Sequence, residues 1–277
     1  MVEVDTGACA LFIHEVQAYY ALQGRHTLPW RQTKNAYRIL VSEVMLQQTQ
    51  VDRVIPKYNE FLKKFPSVRA LADAPFKEVV GAWQGLGYNR RALFLHKAST
   101  YFLLKHNGVI PQSRDELESA PGIGPYTAGA VRAFAFNAPE VFIETNIRTA
   151  FIHFFFVAEE SVSDAQLMPY IAYCVAHVPN PREWYWALMD YGSYLKKTGV
   201  NPSRKSAHYV VQKKFKGSVR ELRGKIVKVL LHASEPLTVR KLEVRAHICD
   251  DRIEAVLTAL CAEGLLTEHK KGTYSIT

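Results

Sequence analysis

The sequence predicts an all-α protein folded into two lobes, with a small mixed module at its C-terminal end. Three observations carry this. Apolar residues recur at helical spacing from residue 8 to about residue 196, and strand-like alternation is nearly absent before residue 260. Glycine and proline cut the chain into helix-length pieces, as at Phe65-Pro66, Asp73-Ala-Pro75 and Gly85-Leu-Gly87. At 277 residues the chain is long enough to bury one large core or two moderate ones. The expected domains are 1–217 and 218–277.

Helices are expected over 8–22, 37–50, 52–64, 66–72, 76–83 and 90–106, with Leu28-Pro-Trp-Arg31 as an extended loop. Others follow at 115–120, 126–136, 146–157, 163–177 and 182–196. The run Phe151-Ile-His-Phe-Phe-Phe-Val157 is too short to span a bilayer and reads as a core helix. After Gly217 the pattern changes. Helices over 222–232, 239–247 and 250–263 are followed by two short strands, 265–269 and 273–276, around a Lys270-Lys-Gly272 turn. Three helices and a basic hairpin resemble a winged-helix module, a fold that serves DNA binding and protein docking alike.

Pro121-Gly-Ile-Gly124 reads as a turn too tight for side chains, followed by a helix that starts at Pro125. The first backbone N–H groups of such a helix have no intrahelical partners and face an anion well.

The formal net charge is +9. Between Lys196 and Lys228 stand eleven Lys/Arg against one acid, Glu221, so this segment holds the whole excess. A polyanionic partner and a solvated basic face both fit. Cys9, Cys174, Cys249 and Cys261 lack metal-ligand spacing and are expected to be buried thiols of a reducing cytoplasm. With no leader or membrane run recognised, the expected location is the cytoplasm, in association with the nucleoid.

Three strings combine with the hairpin: Leu28-Pro-Trp-Arg31, Val41-Ser-Glu-Val-Met-Leu-Gln-Gln-Thr-Gln50 and Gly85-Leu-Gly-Tyr-Asn-Arg-Arg-Ala92. Together they resemble the adenine DNA glycosylase branch of the helix-hairpin-helix glycosylase superfamily, over roughly residues 8 to 195. The resemblance implies a two-lobed all-α fold that binds double-stranded DNA with a mispaired or damaged base and flips the target base out. A monomer is expected.

Glu43 sits in an apolar stretch, and burial raises a carboxylic acid's pKa, so it can hold a proton near neutrality. The resemblance gives it the role of acid to the adenine ring and then base to water. Glu144 is the second carboxylate, a fixed anion for the positive charge that builds on the sugar. The family normally has Asp there. Tyr126 stands where lyase-type members carry a lysine; a phenol forms no Schiff base, so base removal without strand cleavage is expected. Asn146 and Tyr126 are expected to position the sugar and the carboxylates.

By the same resemblance Trp30, Arg31 and Leu46 line the adenine pocket, and Gln48 and Tyr88 wedge into the base stack. Gly122, Ile123 and Gly124 contact a DNA phosphate through backbone N–H groups. Carbonyls of Glu118, Ala120 and Ile123 are candidates to bind Na⁺ or K⁺.

Two departures stand out. Most members of the branch carry four cysteines that hold an iron–sulfur cluster; here Lys196 occupies the first position and none follows in that segment, so no cluster is expected. Lys196, Lys197, Arg204 and Lys205 are expected to take over phosphate contacts in its place. The family's C-terminal domain that reads 8-oxoguanine is also replaced by the winged-helix-like module. Removal of another base (uracil, thymine or a damaged purine) and a non-catalytic DNA binder stay open as alternatives.

Overall fold

The computed structural model describes residues 4–199, 201–212, 214–270 and 272–277. Among these the chain is mostly helical and divides into two compact units. The first holds Met1–Glu43, Gln112–Glu118 and Ile123–Val211; the second holds Val44–Pro111, Ser119–Gly122 and Gln212–Thr277. Residues 218–277, which the sequence sets apart, thus group with 44–111.

In the first unit, α1 (Thr6–Gln23) starts at Asp5, whose side chain accepts from Ala8 N. The elements after it are α7 (Arg114–Glu118), α8 (Pro125–Phe136), α9 (Thr145–Phe155), α10 (Asp164–Ala176) and α11 (Pro181–Lys197). The core forms where α9 lies against α11 and α1 covers α11. Phe12 of α1 meets Phe151 at 4.8 Å and Trp184 at 5.8 Å between ring centroids. Burying one such ring contributes about 2–3 kcal/mol. Gly192 sets the approach of α9 and α11. A Cβ there would lie 2.1 Å from the backbone oxygen of Asn146, so only glycine fits. The Leu28–Arg31 segment, expected to be extended, contains a 3₁₀ turn at Pro29–Arg31. Proline at its first position pre-sets φ for the turn.

The second unit contains α3 (Val51–Lys64), α4 (Val68–Ala72), α5 (Phe76–Trp83) and α6 (Arg90–His106), then the C-terminal module. That module has α12 (Val219–Leu231), α13 (Val239–Ala246) and α14 (Ile253–Ala262), with strands β1 (Leu237–Thr238), β2 (Leu266–His269) and β3 (Thr273–Ile276). β3 is central and pairs antiparallel with both others. β1 was not expected; two residues are too few for an alternation to register in the sequence. Of the four cysteines expected to be buried, Cys9 and Cys174 are, whereas Cys261 is half-buried and Cys249, in the loop after α13, is exposed. The expected Lys270-Lys-Gly272 turn includes residue 271, which lies outside the described residues. α12 packs on α5, where Gly81 faces Leu231 and Lys77 Nζ donates to Ala233 O at 2.8 Å.

The division of the units falls inside α2 (Ala36–Leu46). This helix was expected to run to Gln50, but it stops at Leu46 and Gln48 takes φ 56°. The cause is Arg91. Its guanidinium donates to the carbonyls of Val44, Met45 and Gln47 at 2.9, 2.8 and 2.5 Å. It also donates to Leu86 O, Gly87 O and Thr49 Oγ1 at 3.2, 3.1 and 3.0 Å. One cation therefore satisfies carbonyls that the end of α2 leaves open and ties them to the 84–89 turn. Burial brings its pKa down to about 10, which still leaves it charged at neutral pH. Replacing Arg91 by Ala strands several carbonyls at once, and urea unfolding is expected to show a loss of about 2–4 kcal/mol.

Candidate active site

Four side chains from three helices of the first unit converge. Glu43 ends that unit's part of α2 and is 5% exposed. Tyr126, in the first turn of α8, donates its hydroxyl to Glu43 Oε2 at 3.0 Å. Glu144 is the N-cap of α9, its Oε1 accepting from Asn146 N at 2.7 Å and Ile147 N at 2.9 Å. Its Oε2 accepts from Asn146 Nδ2 at 3.2 Å. The fixed carboxylate thus sits on the positive end of α9. Glutamate reaches the helix N–H groups here as a cap, the task usually done by shorter side chains.

Burial raises the Glu43 carboxyl to about 7, against the hydrogen bond from Tyr126; the charge of Glu144 adds to the rise and Arg31 opposes it. Burial and the two carboxylates push the Tyr126 hydroxyl well above its usual value, so it acts as a donor. Asn146 Oδ1 is buried and has no hydrogen-bond partner among the described residues. A native acceptor left in this way is suited to a water molecule or a substrate hydroxyl.

A second cluster holds the frame. Asp190 of α11 takes Arg31 Nη1 and Nη2 at 2.7 and 3.0 Å, and Arg25 N and Nε at 2.8 and 2.7 Å. Burial works to raise the Asp190 pKa, but the two arginines outweigh it and hold it below the usual range. Arg31 also lies over the rings of Tyr20 and Trp186 at 5.7 and 5.6 Å. Its guanidinium is therefore engaged by the protein, and its reach to Glu43 is electrostatic.

The other expected residues are placed as follows. Trp30 is buried in the 3₁₀ turn of the first unit, and Leu46 ends α2 in the second, half-buried. Gln48 and Tyr88 lie in the second unit, with left-handed φ of 56° and 48°. Gly122 has φ 79°, and a Cβ on it would meet Phe94 at 2.4 Å. Ile123 is buried; Gly124 caps α8 with extended backbone, no capping side chain and open space where a Cβ would point. Ala120 is buried, and the Glu118 side chain pairs with Arg114 at 2.7 Å. Lys196 is half-buried at the end of α11. Burial lowers its pKa, against the charge of Glu144 and along with that of Arg25. Lys197 and Arg204 are exposed, and Lys205 Nζ donates to Val157 O at 2.6 Å.

Sequence reasoning missed Arg91 and Asp190 as supports. Arg91 lay in the Gly-Leu-Gly-Tyr-Asn-Arg-Arg string, and Asp190 is the one acid between Trp184 and Lys196; a lone acid in an apolar helix was the available signal.

Fold and site together define a base-excision enzyme scaffold of the helix-hairpin-helix type. The family model for HhH-GPD superfamily base excision DNA repair proteins matches residues 41–170. An adenine DNA glycosylase of Mycolicibacterium smegmatis is 30% identical over 268 residues, 91% of this chain and 92% of that protein. Another, of Buchnera aphidicola subsp. Baizongia pistaciae, is 35% identical over 185 residues, 67% of this chain and 53% of that protein. A solved thermostable thymine-DNA glycosylase superposes with TM-score 0.63 at 22% identity, over 69% of this chain and 88% of that one. The chain belongs to the HhH-GPD superfamily of base excision DNA repair proteins.

The raised pKa of Glu43 also has a consequence for stability. With its pKa at about 7 in the fold and near the usual 4.5 unfolded, its protonated form favours the folded state. That contribution is full below the unfolded pKa and is lost as pH rises through about 7. Glu43→Gln keeps an acceptor for Tyr126 and removes the penalty. At pH 8 the variant is expected to be more stable than its parent by up to about 3 kcal/mol. The gap should shrink to under about 1 kcal/mol at pH 5, as read by thermal or urea unfolding across pH.

Proposed function

We propose that the protein is a monofunctional DNA glycosylase that flips a mispaired adenine out of duplex DNA and removes it, leaving an abasic site. The observation that carries this reading is the buried Glu43, hydrogen-bonded by Tyr126 and kept protonated in part by the like charge of the anchored Glu144 carboxylate. The relatives named adenine DNA glycosylase support adenine as the base. Protonated Glu43 gives its proton to a ring nitrogen of the purine. The bond from sugar to base then breaks with its electron pair leaving on the neutral base. Glu144 faces the positive charge that develops on the sugar. Ionised Glu43 next takes a proton from water as the water oxygen bonds to the sugar carbon, and the acid is restored. Asn146 Oδ1 fits as an acceptor for that water. Tyr126 offers no amine, so the strand stays intact.

The reading includes work without an iron–sulfur cluster, because no cysteine stands between Cys174 and Cys249 to supply ligands. A Na⁺ or K⁺ at the carbonyls of Glu118, Ala120 and Ile123 stays part of the proposal, as does the monomer.

Labelled duplexes carrying A opposite 8-oxoguanine, A:G, T:G, U:G or an alkylated purine, incubated with protein and then alkali, test the base. Cleavage is expected at adenine; cleavage at none, with retained binding, sinks the reading. Single-turnover rate is expected to fall tenfold per pH unit above about 7, as Glu43 loses its proton. Glu144→Gln should lower that rate about 10²–10³-fold; an unchanged rate removes Glu144 from the mechanism. Borohydride should trap no covalent adduct with DNA. An adduct that disappears in Lys196→Ala would instead assign a lyase to that half-buried amine.

A further inference from the structure

In the second unit the C-terminal module reaches the 84–89 turn at Tyr88. The phenol oxygen accepts from Arg220 Nη1 at 2.6 Å and from the Gln212 amide. Arg220 stands in the first turn of α12 and Gln212 in the segment before it, 132 and 124 positions from Tyr88. Arg220 also lies 5.7 Å from the centroid of the Tyr88 ring, and Arg91 lies 5.5 Å from it. Two donors from one module thus converge on a single oxygen at the tip of one side chain. The segment that carries them is itself fastened. Arg252 Nη2 donates to Gly217 O at 3.1 Å, and Gly217 N donates to Glu221 Oε2 at 2.6 Å.

The backbone of Tyr88 has φ 48°, a left-handed conformation that a bulky residue keeps only where its surroundings hold it. Arg91, Arg220 and Gln212 hold this one by its ring and its tip, although the residue is 36% exposed. A ring that enters a base stack leads with that tip, and neither Arg220 nor Gln212 can follow it between base pairs. Contacts made in the withdrawn state and lost in the inserted one shift the balance toward withdrawal. The added cost is the same for every base pair, so it matters most near balance. A weakened pair, which opens easily, still opens; a sound pair is moved out of reach.

We propose that Arg220 and Gln212 are positioning residues that hold Tyr88 out of the base stack, so that the C-terminal module sets the threshold at which a base pair is opened. The proposal rests on the reading of Tyr88 as the residue that wedges into the stack.

The test uses the full chain, saturating a duplex that carries 2-aminopurine opposite cytosine, a weak pair that gives the parent a measurable signal. The fluorescence of 2-aminopurine rises as the base leaves the stack, and it is read on mixing, before any base is removed. Tyr88→Phe keeps the ring and loses the oxygen that both donors hold; it should open the pair about three- to tenfold more than the parent. Gln212→Ala, which changes no charge, and Arg220→Ala should each raise opening about two- to fivefold. Arg220→Ala added to Tyr88→Phe should change opening by under about twofold, whereas a role in folding alone would add its own effect. Tyr88→Ala separates the two readings. A parental signal in Tyr88→Ala removes Tyr88 as the wedge, and the proposal with it. If Tyr88→Ala is dark, the wedge stands, and a signal in Tyr88→Phe at or below the parent's overturns the threshold role of Arg220 and Gln212.

Discussion

The carboxyl proton of Glu43 is where the constraints on the first unit meet. Burial pushes that proton on, the Tyr126 hydroxyl works to take it off, and the charges of Glu144 and Arg31 pull in opposite directions. Each influence belongs to a different element. Tyr126 comes with the first turn of α8, Glu144 with the cap of α9, and Arg31 with a 3₁₀ turn fastened to α11 through Asp190. Helix placement is therefore pKa placement: a small shift of any one element changes how much charge Glu43 feels. Close packing is what holds those shifts down. Gly192 lets α11 rest against the backbone of Asn146, and a Cβ added at Gly129 would lie 3.1 Å from the Phe142 side chain. The ring of Phe142 in turn stacks on Tyr185 at 4.1 Å between centroids.

Glu144 shows how one residue serves two needs. As an N-cap it satisfies backbone N–H groups that the first turn of α9 leaves open, a local contribution of about 1 kcal/mol. The same two bonds fix its carboxylate at the helix's positive end. The longer side chain, a departure from the Asp expected of the family, is folded back onto its own helix. The carboxylate position is then set by backbone geometry and less by side-chain length. Asn146 completes the cap with its amide nitrogen, while its oxygen has no partner among the described residues.

Much of this was legible in the sequence. Helix periods located nearly every helix to within a few residues, because each buries a stripe of apolar residues whose spacing is local information. The end of α2 and the turn at Leu28–Arg31 were not legible, since they depend on partners far along the chain: Arg91 closes the first from 46 residues beyond Met45, and Asp190 holds the second. β1 escaped for a different reason. A two-residue strand exists only by pairing with β3, and nothing within Leu237-Thr238 encodes that partner. At the site, Glu43, Tyr126, Glu144 and Asn146 were named from motif strings, yet their mutual contact is a tertiary fact. The direct hydrogen bond between Tyr126 and Glu43 spans 83 positions.

The basic segment is the clearest case of a composition signal that only contacts can resolve. Eleven cations in 196–228 read as one feature, but the fold distributes them between tasks and between units. Lys196 feels the charge of Glu144, Lys205 caps a carbonyl, Arg223 pairs with Glu263 and Lys225 with Glu221. Lys213 lies outside the described residues. Those already paired inside the fold contribute little to a polyanion's affinity, because a cation that must leave a partner gains only the difference between two contacts. Net charge therefore overstates the binding surface. What remains exposed outside those pairs is a smaller set: Lys197 and Arg204 in one unit, and Lys214, Lys216 and Lys228 in the other.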